Sequence, residues 1–331
     1  MPETHQFGAI AIYTHSWNSN RSSLALSSSS NIVDLYKVSG ANYQKVNVLS
    51  AHTQSVTGID WAPKSNRIVT CSADRNAYVW TQLKDGSWKN TMVILRINRA
   101  ATCVKWSPQE DKFAVGSGAK AVSVCYFDSS NDWWVSKHIK KPIRSTVTCL
   151  DWHPNNILLA AGSSDFKARV FSAYVKDVEE KPGQTIWGTK MPFGNLMAEL
   201  SSGGGGWVHD VCFSGNGDCL AWVGHDSSLS VVNANSLSNI VTFKTSYLPF
   251  YSCVWVSLNR LVAAGYNCEP MLFEFNGKNI KLVKKYDTKE ETGGDNVISK
   301  VTIHTGTKEQ CKKFSTTGLD GMITVWDIDA K

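Results

Sequence analysis

Short motifs that each end in a large apolar residue, usually Trp, recur along the whole chain. Representative copies read TGIDW, TCVKW and TCLDW, and each places a Thr four residues before its last residue. These last residues, here called anchors, lie 44, 45, 46, 61, 42 and 48 residues apart, which divides the chain into seven units. This spacing is close to the period of four-stranded β-blades. The anchors are Trp17, Trp61, Trp106, Trp152, Phe213, Trp255 and Ile303.

A second marker follows several of the anchors. An Asp comes 13 residues after the anchor in three units and 17 residues after it in the last, where a longer loop at Lys308–Gln310 accounts for the difference. In two units a Trp follows that Asp by six residues. An Asp in a tight turn before a strand that ends in an aromatic residue is typical of WD repeats. The residues are Asp74, Asp165, Asp226 and Asp320, with Trp80 and Trp326.

The repeats predict an all-β fold, a seven-bladed WD-repeat β-propeller that occupies residues 1–331 as a single domain. One blade alone would expose both apolar faces, and stacking blades around an axis buries them. Only three strands are visible in the last repeat, so we expect His5–Tyr13 to supply its outer strand and close the ring. Residues 176–205 and 286–297 are predicted to be flexible loops between blades.

Several stretches resemble one particular propeller, subunit 1 of the actin-related protein 2/3 complex. The resemblance implies a non-catalytic scaffold in the cytoplasmic actin cytoskeleton, which supports the nucleation of branched filaments. Its implied partners are actin-related proteins and sister subunits, the actin filament, and the acidic tails of nucleation-promoting factors. The stretches are residues 58–80, 93–108, 112–127, 132–147, 150–167, 187–194, 205–228 and 315–327.

The chain departs from that family between blades six and seven. Similar subunits carry a long insertion there with a short projecting helix, which reaches toward actin or an actin-related protein. Here Tyr286 to Val297 spans only 12 residues, is polar and contains glycine, with no apolar helical face. Functions of that arm are therefore not carried over to this chain.

Four residues of the second unit occupy the positions of a buried hydrogen-bonded tetrad in WD repeats. A Ser, a His and an Asp together also suggest a hydrolase triad, but the chain contains no G-x-S-x-G elbow. We therefore interpret the set as structural, with Asp74 accepting from turn amides and from His52. The tetrad consists of His52, Ser72, Asp74 and Trp80.

Positive charge is concentrated in the first half of the chain. Residues 1–175 contain 19 Lys and Arg against 11 Asp and Glu, a balance of +8. In a blade with strands a to d, the b–c turn and the d–a loop open on the same rim, so seven cations should converge there. This basic rim could bind an acidic protein segment, be ordinary solvated surface, or bind nucleic acid, for which the support is weakest. Its residues are Arg75, Arg99, Lys120, Lys140, Lys141, Arg144 and Lys167.

Other classes of function find little support in the sequence. Nine scattered Cys without a Cys-x-x-Cys pair argue against disulfides and metal sites, and no cofactor motif is present. No apolar run approaches the roughly 18 residues needed to cross a membrane, and no secretory signal is evident. A propeller enzyme would need acidic or His residues in its channel, where the repeats are expected to place mainly Ser, Ala and Val. Another WD-repeat adaptor with a basic rim remains the alternative.

Overall fold

The computed structural model describes residues 2–8, 10–286 and 297–329, and in them it contains seven four-stranded antiparallel sheets. The predicted all-β seven-bladed propeller is confirmed. Each anchor lies in the first, innermost strand of a sheet, strand a. Blades one to four, in chain order, have these strands: β2 (Thr14–Trp17), β3 (Ser23–Ser27), β4 (Ile32–Ser39) and β5 (Asn42–Ser50); β6 (Val56–Trp61), β7 (Ile68–Ser72), β8 (Ala77–Gln82) and β9 (Trp88–Val93); β10 (Ala101–Trp106), β11 (Lys112–Ser117), β12 (Ala121–Asp128) and β13 (Trp133–Ile139); β14 (Val147–Trp152), β15 (Leu158–Ser163), β16 (Ala168–Ser172) and β17 (Leu196–Leu200).

The ring is closed by a strand from the N-terminus, which joins the last sheet in the order β1-β28-β27-β26. That strand is Glu3–Gln6, earlier than the predicted His5–Tyr13. Residues 7, 8 and 10–13 instead lie between this strand and blade one, and Ile12 among them is fully buried. The remaining strands are β1 (Glu3–Gln6); β18 (Val208–Phe213), β19 (Cys219–Gly224), β20 (Ser228–Asn233) and β21 (Val241–Lys244); β22 (Phe250–Trp255), β23 (Arg260–Gly265), β24 (Met271–Phe275) and β25 (Ile280–Lys285); β26 (Ile298–Gly306), β27 (Cys311–Gly318) and β28 (Met322–Asp327).

The core lies between neighbouring blades and is built from the repeated motif. Six anchors are buried, and Ile303 in blade seven is partly buried. The Thr of the motif links blades around the channel: Thr57 Oγ1 donates to the carbonyl of Ala101 (2.8 Å) and Thr102 Oγ1 to that of Val147 (2.6 Å). Thr148 makes the same bond to the next blade. The motif therefore supplies both the apolar packing and a hydrogen bond between successive strands a.

The long segment between β16 and β17 folds back onto the propeller. Trp187 and Met191 are buried, and Trp187 Nε1 donates to the carbonyl of Gly217 (2.9 Å). Glu179 forms a buried ion pair with Lys112 of blade three. Most of the segment predicted to be a flexible loop at 176–205 is thus held by packing and by charge. The other predicted loop, 286–297, lies outside the described residues except for its two ends.

Candidate functional site: the rim formed by the b–c turns

Backbone hydrogen bonds join the b–c turn of a blade to the d–a loop that precedes it. Gly118 N donates to the carbonyl of Ala100 (2.9 Å), and Ser164 N donates to that of Thr146 (2.9 Å). The same bond occurs in blade two, from Ala73 N to Ser55 O (3.0 Å). These turns and loops therefore lie side by side on one end of the propeller, here called the rim.

The seven predicted cations all lie on this rim. Arg75 and Lys120 occupy left-handed positions in b–c turns, with φ of 72° and 58°, and Lys167 follows the equivalent residue of blade four. Arg99 lies in the d–a loop before β10, and the other three lie in the d–a loop before β14. Lys167 is half-buried, and the other six are exposed. The exposed residues are Arg75, Arg99, Lys120, Lys140, Lys141 and Arg144.

None of these seven side chains forms an ion pair with any residue that the structure describes. The two nearest turn carboxylates are occupied by other groups. Asp74 accepts from the amides of Thr53 (3.0 Å) and Asn76 (2.9 Å). Asp165 accepts from the backbone amide of Arg144 (2.8 Å) and from Arg169 (2.9 Å). Within the described part of the chain, the cations of the rim are consequently left without counter-charges.

The hydrogen-bonded network of blade two differs from the expected tetrad in one member. His52 Nδ1 contacts Asp74 Oδ2 (2.9 Å), but its Nε2 contacts Thr70 Oγ1 (2.9 Å), and Trp80 Nε1 donates to the same hydroxyl (3.0 Å). Ser72 Oγ instead donates to the backbone carbonyl of Gln54 and accepts from the amide of Asp74. Thr70 therefore replaces Ser72 as the bridge between His52 and Trp80. Sequence reasoning missed this because Thr70 precedes Ser72 by two residues, so both side chains lie on the same face of β7.

Charge in this network stays on the carboxylate. Burial by itself would raise the pKa of Asp74, but the two turn amides and His52 hold it below its usual value. Burial lowers the pKa of His52, and Asp74 only partly offsets that effect. At neutral pH we therefore take His52 as neutral, with a proton on the nitrogen that faces Asp74. The network stabilises the turn that carries Arg75.

An aromatic group that the sequence analysis did not identify continues the rim over blades five and six. Trp207 stacks on His225, and Tyr251 stacks on His209. His209 Nε2 and His225 Nδ1 are 3.0 Å apart, and burial followed by the nearby His225 lowers the pKa of His209 to about 4. Trp207 is 52% exposed. The rule that located the cations covers only Trp207, which precedes β18, and His225, which lies in a b–c turn. His209 and Tyr251 lie within strands a (β18 and β22), which the rule does not address.

The glycine run at 203–206 has a steric reason beyond chain flexibility. It passes over the turn carboxylate of blade five, Asp226. A Cβ at Gly204 would lie 1.7 Å from Asp226 Oδ2, and one at Gly206 would lie 2.4 Å from the amide nitrogen of Asp226. Only glycine allows the backbone to approach this closely.

The central channel contradicts the expectation of Ser, Ala and Val. Strands a place charged residues there, and these residues pair between blades. Lys300 of blade seven contacts Asp210 of blade five (3.1 Å), and Lys105 contacts Asp60 (3.3 Å). Burial alone would lower the pKa of Lys300, but the Asp210 carboxylate raises it above its ordinary range. Sequence reasoning missed these pairs because their members lie in different repeats.

A hairpin of blade seven reaches across the opposite end of the channel. Lys308, at its tip, contacts Asp151 of blade four at 2.6 Å and also donates to the carbonyl of Phe213 (3.2 Å). Blade four lies across the ring from blade seven, so this contact spans the channel mouth. Beside it is a cavity of about 510 Å³, which is lined by Trp106, Lys105 and neighbouring residues. Four of its charged lining residues form two ion pairs, Lys105 with Asp60 and Lys308 with Asp151, as a structural role requires.

The nine cysteines, all within the described residues, form no disulfide bond there, and six of them are buried. Burial raises the pKa of Cys103 and of Cys212 to about 11, so these thiols are protonated at neutral pH. Within the described residues no group of three or more His, Cys, Asp or Glu is placed to hold a metal ion. In the same part of the chain, no helix is long and apolar enough to cross a membrane.

The fold and the repeated turn network define a WD-repeat β-propeller. Two family models match parts of it: "WD domain, G-beta repeat" over residues 43–81, and "Anaphase-promoting complex subunit 4 WD40 domain" over residues 104–182. The first covers the end of blade one and most of blade two, including the whole network around Asp74.

Several similar proteins cover from 80% to nearly all of the chain. The protein is 53% identical to "Actin-related protein 2/3 complex subunit 1A-A" of Xenopus laevis over 355 residues, which span 98% of this chain and 96% of that protein. It is also 53% identical to subunit 1 of Schizosaccharomyces pombe, over 80% of this chain and 71% of that protein. It is 37% identical to subunit 1B of Arabidopsis thaliana, over 99% of this chain and 96% of that protein. The chain belongs to the family of subunit 1 of the actin-related protein 2/3 complex.

Proposed function

We propose that this chain is a non-catalytic scaffold subunit of an actin-related protein 2/3 complex in the cytoplasmic actin cytoskeleton. Its partners would be actin-related proteins and sister subunits, and through them the actin filament and the nucleation of branched filaments. Family membership along nearly the whole chain supports this proposal. The paired charges of the channel support it as well, because they link blades to one another.

We further propose that the basic rim contacts the acidic tails of nucleation-promoting factors. The observation that supports this is the set of seven cations on one rim, without an ion pair to any described residue. Such cations bind carboxylates through charge-assisted hydrogen bonds, and several together favour a segment with many acidic residues. Long-range attraction should also speed the encounter more than it slows release.

The test is a double charge reversal, Arg99→Glu with Arg144→Glu, in the full chain. These residues come from neighbouring d–a loops, and the backbone bond from Arg144 to Asp165 does not depend on its side chain. We expect affinity for an acidic tail peptide to fall at least about 10-fold, with a weaker dependence on salt. The matched control is Lys190→Glu with Lys278→Glu, which changes the net charge equally at exposed positions outside the rim.

Co-purification with the complex separates two roles of the rim. If the double variant no longer assembles while the control does, the rim is buried against a sister subunit. If it assembles and binds the peptide with unchanged affinity and salt dependence, the rim is solvated surface and the proposal is wrong.

A further inference from the structure

The outer strands of the seven blades differ in how far their free edges are protected against pairing. Register shifts interrupt the pairing of β5, β17 and β25 with their neighbours, and such bulges disfavour the addition of another strand. The outer strands β1 and β21 have only four residues each. In contrast, β9 pairs in unbroken register with β8 over six residues, and β13 does so with β12 over seven.

Of these two regular strands, β9 is the more open. A neighbouring segment returns beside β13, where Asp177 binds Lys137 (2.9 Å) and Tyr126 (3.1 Å). Four consecutive residues of β9, from Lys89 to Met92, are exposed. Within the described part of the chain, β9 ends its sheet, and no strand pairs with its outer edge.

The hairpin before β9 determines which of its backbone groups face outward. Leu83 N donates to the carbonyl of Ser87 (2.8 Å), and Gly86 N donates to that of Leu83 (3.0 Å). Because antiparallel residues alternate between bonded and non-bonded pairs, every second residue after Ser87 bonds to β8. The amides and carbonyls of the intervening residues, Trp88, Asn90 and Met92, therefore point away from the sheet. They offer three donors and three acceptors to an added strand.

Side chains at this edge indicate the chemistry of such a strand. Met92 is 48% exposed and Ile94, two residues further on, is 60% exposed, so both can contact an apolar side chain. Lys84, Lys89 and Arg96 are exposed, and none forms an ion pair with a described residue. The nearest acidic residue, Asp85, accepts from Ser87 within the hairpin. The edge is therefore apolar and positively charged.

We propose that the outer edge of β9 binds an extended segment of a partner protein as a fifth strand of blade two. The segment would alternate apolar and acidic residues, the first against Met92 and Ile94 and the second near the three cations. Main-chain bonds would supply affinity, and the side chains would supply selectivity. This proposal deepens the proposed scaffold role. It rests on that role only because both require a protein partner. It concerns the flank of the propeller rather than the basic rim.

The first test uses a nine-residue peptide of alternating valine and glutamate, added to the full chain. We expect the amides of Trp88, Asn90 and Met92 to exchange with solvent at least about 10-fold more slowly, whereas amides of the bulged strand β5 should not change. A peptide with lysine in place of glutamate should bind at least about 10-fold more weakly, and so should one with N-methylated valines. Equal binding of the N-methylated peptide would overturn strand addition.

The second test removes one outward donor from the protein. Proline is tolerated on edge strands where the amide faces outward, so Asn90→Pro should keep the fold. It should lower the affinity for the glutamate peptide at least about 10-fold. Asn90→Ala retains the backbone amide and should bind this peptide as tightly as the wild type does. Unchanged binding by a folded Asn90→Pro chain would also overturn the proposal.

Two further measurements separate this edge from other surfaces. If the three amides are protected without peptide, increasingly at higher protein concentration, the occupant is a second copy of the chain and the proposal is wrong. The charge reversal of Arg99 and Arg144 should leave peptide binding at β9 unchanged. The proposal for the basic rim and the proposal for the edge of β9 can therefore be disproved independently of each other.

Discussion

Lysines and arginines occupy both the central channel and the rim of this propeller, but their surroundings differ. Lys300 and Lys308 in the channel each contact a carboxylate from another blade, at 3.1 and 2.6 Å. Arg99 and Lys120 on the rim contact none among the described residues and are exposed. A paired, partly buried charge links blades, whereas an unpaired exposed charge remains available to a partner. Residue type alone therefore says little about which cations serve structure and which serve binding.

The largest effect is expected in the channel, from Asp210→Asn. Removing this carboxylate leaves Lys300 without its counter-charge, and Ser252 loses a strong acceptor at 2.6 Å. Breaking one partner of a buried pair costs about 3–5 kcal/mol. Urea unfolding at neutral pH should show this loss in the free energy of unfolding.

The matched control for Asp210→Asn is Glu180→Gln, which removes one negative charge from an exposed position. It should change stability by less than about 0.5 kcal/mol. Equal effects of the two variants would mean that the channel pair contributes no more than a surface charge does.

A pH dependence should also arise from His15, which is buried where blade one contacts blade seven, within 3.0 Å of the hydroxyls of Thr317 and Thr302. Burial, followed by the charges of Lys300 and Lys105, lowers the pKa of His15 to about 3. Below pH 6.5 the unfolded chain binds a proton there while the folded chain does not, so stability falls as pH falls toward 3. Between pH 6.5 and pH 4 this group should account for about 3 kcal/mol. His15→Gln should remove that part of the dependence, as measured by urea unfolding across the window.

On the rim, Asp74→Ala should have an intermediate effect. It leaves the amides of Thr53 and Asn76 and the ring of His52 without their acceptor, at a cost of about 1–3 kcal/mol. Since the pKa of Asp74 is lowered, its contribution is present above the ordinary Asp pKa and is lost as pH falls below it. Thermal unfolding of the variant and the wild type at pH 7 and pH 3 should therefore differ most at pH 7. A variant of unchanged stability with altered partner binding would show that Asp74 is functional rather than structural.

The smallest effect on stability is expected from reversing Arg99 and Arg144 to Glu. Neither side chain forms an ion pair with a described residue, so the free energy of unfolding should change by less than about 0.5 kcal/mol. Added salt should weaken the binding of an acidic peptide to the wild type while leaving the contribution of Asp210 nearly unchanged, because exposed charges are screened far more than buried ones. A loss of stability comparable to that of Asp210→Asn would remove the contrast between channel and rim.

The residues predicted from the repeat occupy the expected parts of the fold. The anchors lie in strands a, and the seven cations lie on one rim, because both follow from the position of a residue within its own blade. The prediction was wrong in one member of the hydrogen-bonded network of blade two, where two neighbouring hydroxyl groups could both have bridged the same partners. Thr70 and Ser72 lie on the same face of β7, and only the positions of His52 and Trp80 determine which hydroxyl bridges them.

By itself, the sequence determined the number of blades, the position of strand a in each blade and the rim on which the b–c turns open. These features depend on local periodicity and on turn residues that are close in the chain. The tertiary structure decided which charges meet across the channel, that Lys308 reaches Asp151, and that the buried Trp187 folds back onto blade five. It also decided which edge strand stays regular and open. Each of these contacts joins residues far apart in sequence, and their distances are fixed only when seven blades close into a ring.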